Sequence, residues 1–502
     1  MTHHDWRVFT KQENGMNHAR DALAASRRTY AGLLSLFLLV GLITQAHTAA
    51  EAQERRARSS DYVEDNNQIR RDKFDLILPQ IMRARGIDMW IHVMREANPD
   101  PFGAEDLGST SGVFVFTDRG GDRIERAIIG RRWGASQRER FGSDYADPIR
   151  ALGAYDVVGD AVFVGEPVSS PMTEYDYRFK GLREFVGARD PRVIAVNFRE
   201  HLGTWATSSR TEDGISHVDY RLLTEELGEP YADRLVSSEY LIMDYGISPV
   251  ASEVELLKKM RAAELERVKS ALADIVPGVT KSREAGVTTF RRMRTGLSQR
   301  GRSAGWEDSV VQGGDILAAP SQGIYAYVLR EGETEPPAEI KKLWAEYLTI
   351  DKILTETIRA GLTPREIMSA YEQRLEEAGI IVRDPQLHMV QPKNDFPAYS
   401  AGFDPDKTQL TLDLHGKGKG ARDRKFDIYM GPRMGSYGPD WTFDVPLSPN
   451  HHFVLEYFFY MPSPADEGED QYLLFWDHEQ AIVTAGGVEY LSPPQRELLL
   501  VH

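Results

Sequence analysis

The stretch LDLHGKGKGARD, residues 412–423, carries a histidine, three closely spaced glycines and a lysine where a second histidine would complete a His-x-x-x-His pattern. The imidazole of His415 can hold a metal ion or move a proton, whereas the protonated ammonium of Lys419 only donates hydrogen bonds. GKGKGARDRK lacks the spacing and the following Ser/Thr of a phosphate-binding P-loop, and Arg422, Arg424 and Lys425 read as a solvated turn. Four acids lie nearby, Asp404, Asp406, Asp413 and Asp423, but no strand-turn-strand hairpin fits between Asp413 and Asp423. Further on stand Glu456 in FVLEYF and Glu479 in DHEQAIVT. His451 and His452 precede the Glu456 strand, and their spacing makes one of them a candidate substrate contact. His478 alternates to the strand face opposite Glu479 and is read as structural.

Composition limits what this chemistry can be. Sixty basic against 76 acidic residues leave a net charge of -16, which argues against nucleic acid as a partner, because its phosphates need a basic surface. There is no cysteine, so thiolate catalysis, disulfides and zinc-thiolate sites are excluded and any metal would be held by His, Asp and Glu. Residues 30–46, YAGLLSLFLLVGLITQA, follow Arg27 and Arg28 and lead into small residues. That pattern predicts a secretory signal peptide, or an N-terminal anchor, within residues 1–53 and an exported, periplasmic or secreted protein. A membrane is a partner only if this segment is retained.

The elements that must position the site follow from periodicity. RRDKFDLILPQIMRARG predicts a helix with Phe74, Ile77, Leu78, Ile81 and Met82 on one face, stopped by Gly86. IDMWIHVM, PRVIAVNF and the two halves of GVFVFTDRGGDRIERAIIG predict buried strands, the last pair around a Gly-Gly turn. Residues 251–273 and about 338–360 predict long helices, and a third helix begins at Thr363 as N-cap with Pro364 in its first turn. The chain ends in strands, among them HHFVLEYFFYMP and QYLLFWDHEQAIVTAGGVEYL. The expected fold class is α+β: an N-terminal α/β domain over residues 54–250, then a larger domain over 251–502.

Several of these pieces, in this order, resemble the creatinase/prolidase/Xaa-Pro aminopeptidase family. RRDKFDLILPQIMRARGIDMWI and FTDRGGDRIER are similar to its N-terminal domain. LVSSEYLIMDYGISPVASEVELLKKMRAAE resembles the entry to its pita-bread domain. IVPGVT, YVLREGETEPPAEIKKLW and FWDHEQAIVTAGGVEYLSPPQRELLLV resemble that domain's first loop, middle and end. The resemblance implies a creatinase-like α/β domain followed by a pita-bread domain, and a homodimer. It also implies a pair of manganese, cobalt or zinc ions on two hairpin aspartates, one histidine and two late glutamates. Two such cations bridge a water and polarise the scissile carbonyl.

Against that pattern, Pro320 and Ser321 stand where the aspartates belong, with the intervening hairpin missing, and Asp315 belongs to the strand start. Lys419 takes the place of the ligand histidine, His415 matches the first histidine, and Glu456 and Glu479 take the places of the glutamates. No cofactor is therefore expected; a single divalent ion on His415, Glu456 and Glu479 is the alternative. A Lys419–Glu456/Glu479 ion cluster would replace the metal's charge, since two buried glutamates facing each other are costly unpaired. Three function classes result. The first is a weak or inactive peptidase homologue binding peptides or a partner. The second is an active Xaa-Pro aminopeptidase or dipeptidase with displaced or single-metal ligands. The third is a metal-free creatinase-like hydrolase of a small C–N substrate; the region where creatinase carries its histidine, TTFRRMRTGLSQRGRSAGWEDSVV, holds none.

Overall fold

In the computed structural model of the chain, the residues described are 63–95, 106–109, 111–130, 132–134, 148–159, 162–164, 178–200, 214–290, 292–294, 309–319, 323–383, 407–412, 414–416, 432–434, 443–463 and 471–502. The apolar segment 30–46, Pro320, Ser321, Lys419, Asp404, Asp406, Asp413 and Asp423 lie outside them. Among the described residues no helix is long and apolar enough to cross a membrane.

The strand predicted from IDMWIHVM is β1, Met89–Met94, buried at every position. Its neighbours are β2 (Gly112–Asp118) and β3 (Ile124–Ile129), the predicted hairpin, paired from Val113↔Ile129 to Asp118↔Ile124. With β4 (Val157–Val158), β5 (Ile194–Val196) and β6 (Leu235–Ser237) they form a six-stranded sheet in the order β4-β3-β2-β1-β5-β6. Alternation divides β1 between two cores. Trp90 and Met94 join Phe74, Leu78 and Met82 of the first helical segment and Leu241 and Tyr245 of helix Glu239–Ile247. Met89, Ile91 and Val93 join Leu182 and Val186 of helix Leu182–Gly187 and Leu223 and Leu227 of helix His217–Leu227. A sheet covered on both sides explains the near-continuous apolar run of β1.

The long helix read at 251–273 is Ala251–Ala273. Its start is tied back to the first helical segment: Ser252 Oγ donates to Asp72 at 2.5 Å and Glu253 meets the buried Lys73 at 3.5 Å. No strand of the six-stranded sheet lies beyond Ser237, and the strands of the two C-terminal sheets begin at Thr288.

Beyond Thr288 come β7 (Thr288–Phe290), β8 (Arg292–Arg294), β9 (Ile316–Ala319) and β10 (Ile324–Val328). Then follow β11 (Ile381–Arg383), β12 (Gln409–Leu412), β13 (Leu414–Gly416), β14 (Arg433–Met434), β15 (His452–Ser463), β16 (Gln471–Thr484), β17 (Gly487–Tyr490) and β18 (Leu499–Val501). One sheet runs β18-β10-β9-β7; the larger runs β8-β16-β15-β12-β11, with β13 pairing β15 and β14, and β17 pairing β16. Helix α1, Ala338–Thr357, lays Ile340, Leu343, Trp344, Tyr347, Ile350 and Leu354 into the core that the larger sheet shares. That is the three-to-four-residue recurrence of an amphipathic helix.

Helix α2, Pro364–Glu377, begins as predicted. Thr363 accepts from the Glu366 N–H at 3.3 Å, and Glu366 accepts from the Thr363 N–H at 2.8 Å, a reciprocal capping box. Thr363→Ala is expected to lower stability by about 1 kcal/mol, read as a downward shift of the urea unfolding midpoint without loss of helical circular dichroism.

Candidate functional site

The site is built on the longest pair of strands. β15 and β16 run antiparallel in unbroken register from His452↔Ile482 to Ser463↔Gln471. Residues directly opposite one another share a sheet face and successive residues alternate. Register therefore sorts every candidate side chain. Glu456 pairs with His478, and Glu479 pairs with Leu455. The two glutamates that sequence and resemblance set side by side stand on opposite faces.

On the helix-side face lie Leu455, Tyr457, Phe459, Phe475, Asp477 and Glu479, all buried. Phe475 sits among Tyr325 (ring centroids 4.7 Å), Tyr347 (5.0 Å) and Phe459 (5.2 Å). The Tyr325 hydroxyl donates to Asp477. Burial pushes the Asp477 carboxyl up to about 8, and the nearby Asp351 charge acts in the same direction while the Tyr325 hydrogen bond opposes it. Glu479 is raised well above the usual carboxylate range, first by burial and then by Asp477 and Asp351, with Arg261 and Arg496 offsetting part of the effect. Asp351 completes the group. Burial raises it, while the Tyr490 hydroxyl and Arg496, 3.2 Å away, pull it back. Gly323 permits this packing: with φ +62, an added Cβ there would stand 2.5 Å from Glu479 Oε1. Glu479 is thus a core carboxyl on the face turned away from Glu456, and it is not available to an ion held there.

On the opposite face, Glu456 Oε2 lies 3.9 Å from His478 Nε2, and the two side chains are 16% and 17% exposed. Trp476 follows on the same face, its ring 5.9 Å from that of His478. The backbone of His415 pairs with Val454 and with Arg433, so residue 415 also belongs to the Glu456 face, on the strand next to β15. His478, read as structural, is the residue that register brings to Glu456. Lys419, the centre of the expected Lys419–Glu456/Glu479 cluster, lies outside the described residues, and the cluster's two acids face apart. His451 and His452, one of them a candidate substrate contact, are both buried. Burial pushes the His451 imidazole down to about 4, and its ring lies parallel to that of Phe453 at 6.4 Å.

A two-metal centre of the kind the resemblance implies needs its late carboxylates on one face. Glu456 and Glu479 do not meet that requirement, so the arrangement supports no catalytic step through such a centre.

No family model matches the chain, and no curated protein matches it. Among solved structures, the chain is similar to X-Pro aminopeptidase from Thermotoga maritima, at 15% identity and a TM-score of 0.49, covering 84% of this chain and all of that one. It is similar to Xaa-Pro dipeptidase from Bacillus anthracis at 15% identity and a TM-score of 0.46, over 86% of this chain and 99% of that one. It is similar also to the prolidase from Pyrococcus horikoshii at 14% identity and a TM-score of 0.43, over 86% and 99%. These neighbours belong to the family that the sequence pieces resemble; the likeness is to their fold, and no activity follows from it.

Proposed function

We propose that the protein is a weak or inactive relative of the Xaa-Pro peptidases that binds a peptide, or a small amide, on the Glu456–His478 face. The single observation that carries this reading is the register of β15 against β16, which turns Glu479 into the core and leaves Glu456 facing His478. A carboxylate beside an imidazole suits a peptide amino terminus: Glu456 accepts from the ammonium, and His478 can donate to or accept from the first amide. The Trp476 indole alongside offers an apolar surface for a proline ring.

The test is titration of Xaa-Pro dipeptides and tripeptides by calorimetry, with a cleavage assay in manganese, cobalt and zinc. Glu456→Ala is expected to weaken peptide binding at least tenfold and Glu479→Gln to leave it unchanged. Rapid cleavage that requires two metal ions per chain and disappears in Glu479→Gln would sink the reading and restore an active two-metal peptidase.

A further inference from the structure

We infer that Lys73 and Glu253 form a buried electrostatic latch across a hinge at residues 248–250, holding the six-stranded sheet and the two C-terminal sheets in one orientation. The inference is independent of what binds the Glu456–His478 face.

The chain between the two parts is short. Helix Glu239–Ile247 belongs to the six-stranded sheet: Leu241 and Tyr245 lie in its core, and Asp244 pairs with Arg85 at 2.7 Å. Helix Ala251–Ala273 belongs to the C-terminal sheets. Val254 and Leu257 pack with Leu491 and with Ile482 of the larger one, and Val268 and Leu272 pack with Leu317, Ala326 and Val328 of the smaller. Residues 248–250 join the two helices without belonging to either, and a few such residues suffice for a hinge. Apolar contact also crosses the joint, Met243 and Ile247 meeting Val445, but apolar burial is non-directional and tolerates sliding.

The latch is directional. Two successive residues, Asp72 and Lys73, hold two successive residues at the start of the long helix. Ser252 Oγ donates to Asp72 at 2.5 Å, and Lys73 Nζ stands 3.5 Å from Glu253 Oε2, with side chains 2% and 7% exposed. The same ammonium lies 4.4 Å from the centre of the Tyr245 ring, an attraction of cation for π face. Lys73 thus meets one residue on each side of the hinge. Sliding the helix start would draw the two charges apart in a place where water cannot replace either partner, and buried charges resist that far more than exposed ones. The turn that presents Lys73, Lys73–Ile77, is π-helical, with the Leu78 N–H donating to the Lys73 carbonyl. Such wide turns are rare and are frequent at functional positions. By contrast, Lys258 and Glu489, paired at 2.8 Å further along the same long helix, are 34% and 52% exposed, so water and salt screen them.

The chain has no cysteine, so spin labels attach only where cysteines are introduced. Val218→Cys, at an exposed position of helix His217–Leu227, and Lys352→Cys, at an exposed position of helix α1, report the separation of the two parts by pulsed electron paramagnetic resonance on the full chain. One narrow distance distribution is expected in the otherwise unaltered protein. Lys73→Met should roughly double its width, and Lys258→Met should leave it unchanged. Lys73→Met/Glu253→Leu removes both charges of the pair. It should regain the urea midpoint lost in Lys73→Met yet keep the wide distribution, and it carries the test if Lys73→Met does not fold. An unchanged width in Lys73→Met overturns the latch. A narrow distribution in the double variant also overturns it, because packing alone would then set the orientation, and so does equal widening by Lys258→Met.

Discussion

Phe475→Ala lowers the stability of the protein by about 3–5 kcal/mol, the range of large aromatic truncations in a closed core. Phe475 is fully buried, and its contacts come from three directions: Phe459 on the neighbouring strand, Tyr325 on the hairpin of the smaller sheet and Tyr347 on helix α1. Each of those rings is held by its own element. Tyr325 is anchored through Asp477, and Tyr347 lies against Trp344 at 4.8 Å. None can swing into the space without giving up a contact elsewhere, so the cavity stays open and its cost is not relieved by collapse. Phe475→Leu, which keeps most of the volume, should lose only about 1–2 kcal/mol. Urea unfolding of the two variants beside the unaltered protein reads both. Equal losses would mean that the ring's shape, and not the cavity, holds this corner together.

The same corner shows which features can be read in one dimension. Helix 251–273, the Thr363 cap and the 112–129 hairpin rest on signals that sequence carries locally: helix formers without a breaker, a capping residue three places before a glutamate, a Gly-Gly turn. The strands bearing Glu456 and Glu479 are equally legible. What sequence does not carry is which side of the sheet each glutamate faces. A one-residue change of register exchanges the faces of a whole strand. Register can be read only when one face is polar, and HFVLEYFFY is apolar on both sides of Glu456, as a strand buried on both faces must be. Resemblance puts two glutamates in one site; the ladder shows Glu479 beneath Gly323 and His478 beside Glu456. Asp477 has no local signal for a similar reason. Its significance comes from Tyr325 and Asp351, more than a hundred residues away in sequence.

That buried acid sets the expected pH response of the fold. In the unfolded chain Asp477 titrates near its ordinary value of 3.8, and in the folded chain at about 8. Between those values the folded protein holds a proton that the unfolded chain has lost, so rising pH withdraws stability, by roughly 1 kcal/mol per pH unit. The contribution is whole below the unfolded value and gone once pH passes the folded one. Glu479 and Asp351, also raised, act in the same direction. His451 works against them. Its ordinary 6.5 falls to about 4 in the fold, so its neutral, buried form contributes stability above the unfolded value that is lost as pH falls through the window. From about 4 to 6.5 the slopes of Asp477 and His451 roughly cancel; above that, Asp477 declines unopposed by His451. Asp477→Asn keeps an oxygen to accept from Tyr325 and has no proton to lose. The variant should match the unaltered protein near pH 5 and exceed it by about 3–4 kcal/mol at pH 8, measured as urea midpoints across that range. Groups common to both proteins drop out of the difference. Parallel curves would mean that Asp477 is already ionised in the fold, and the protonated core behind the Glu456 face would have to be abandoned.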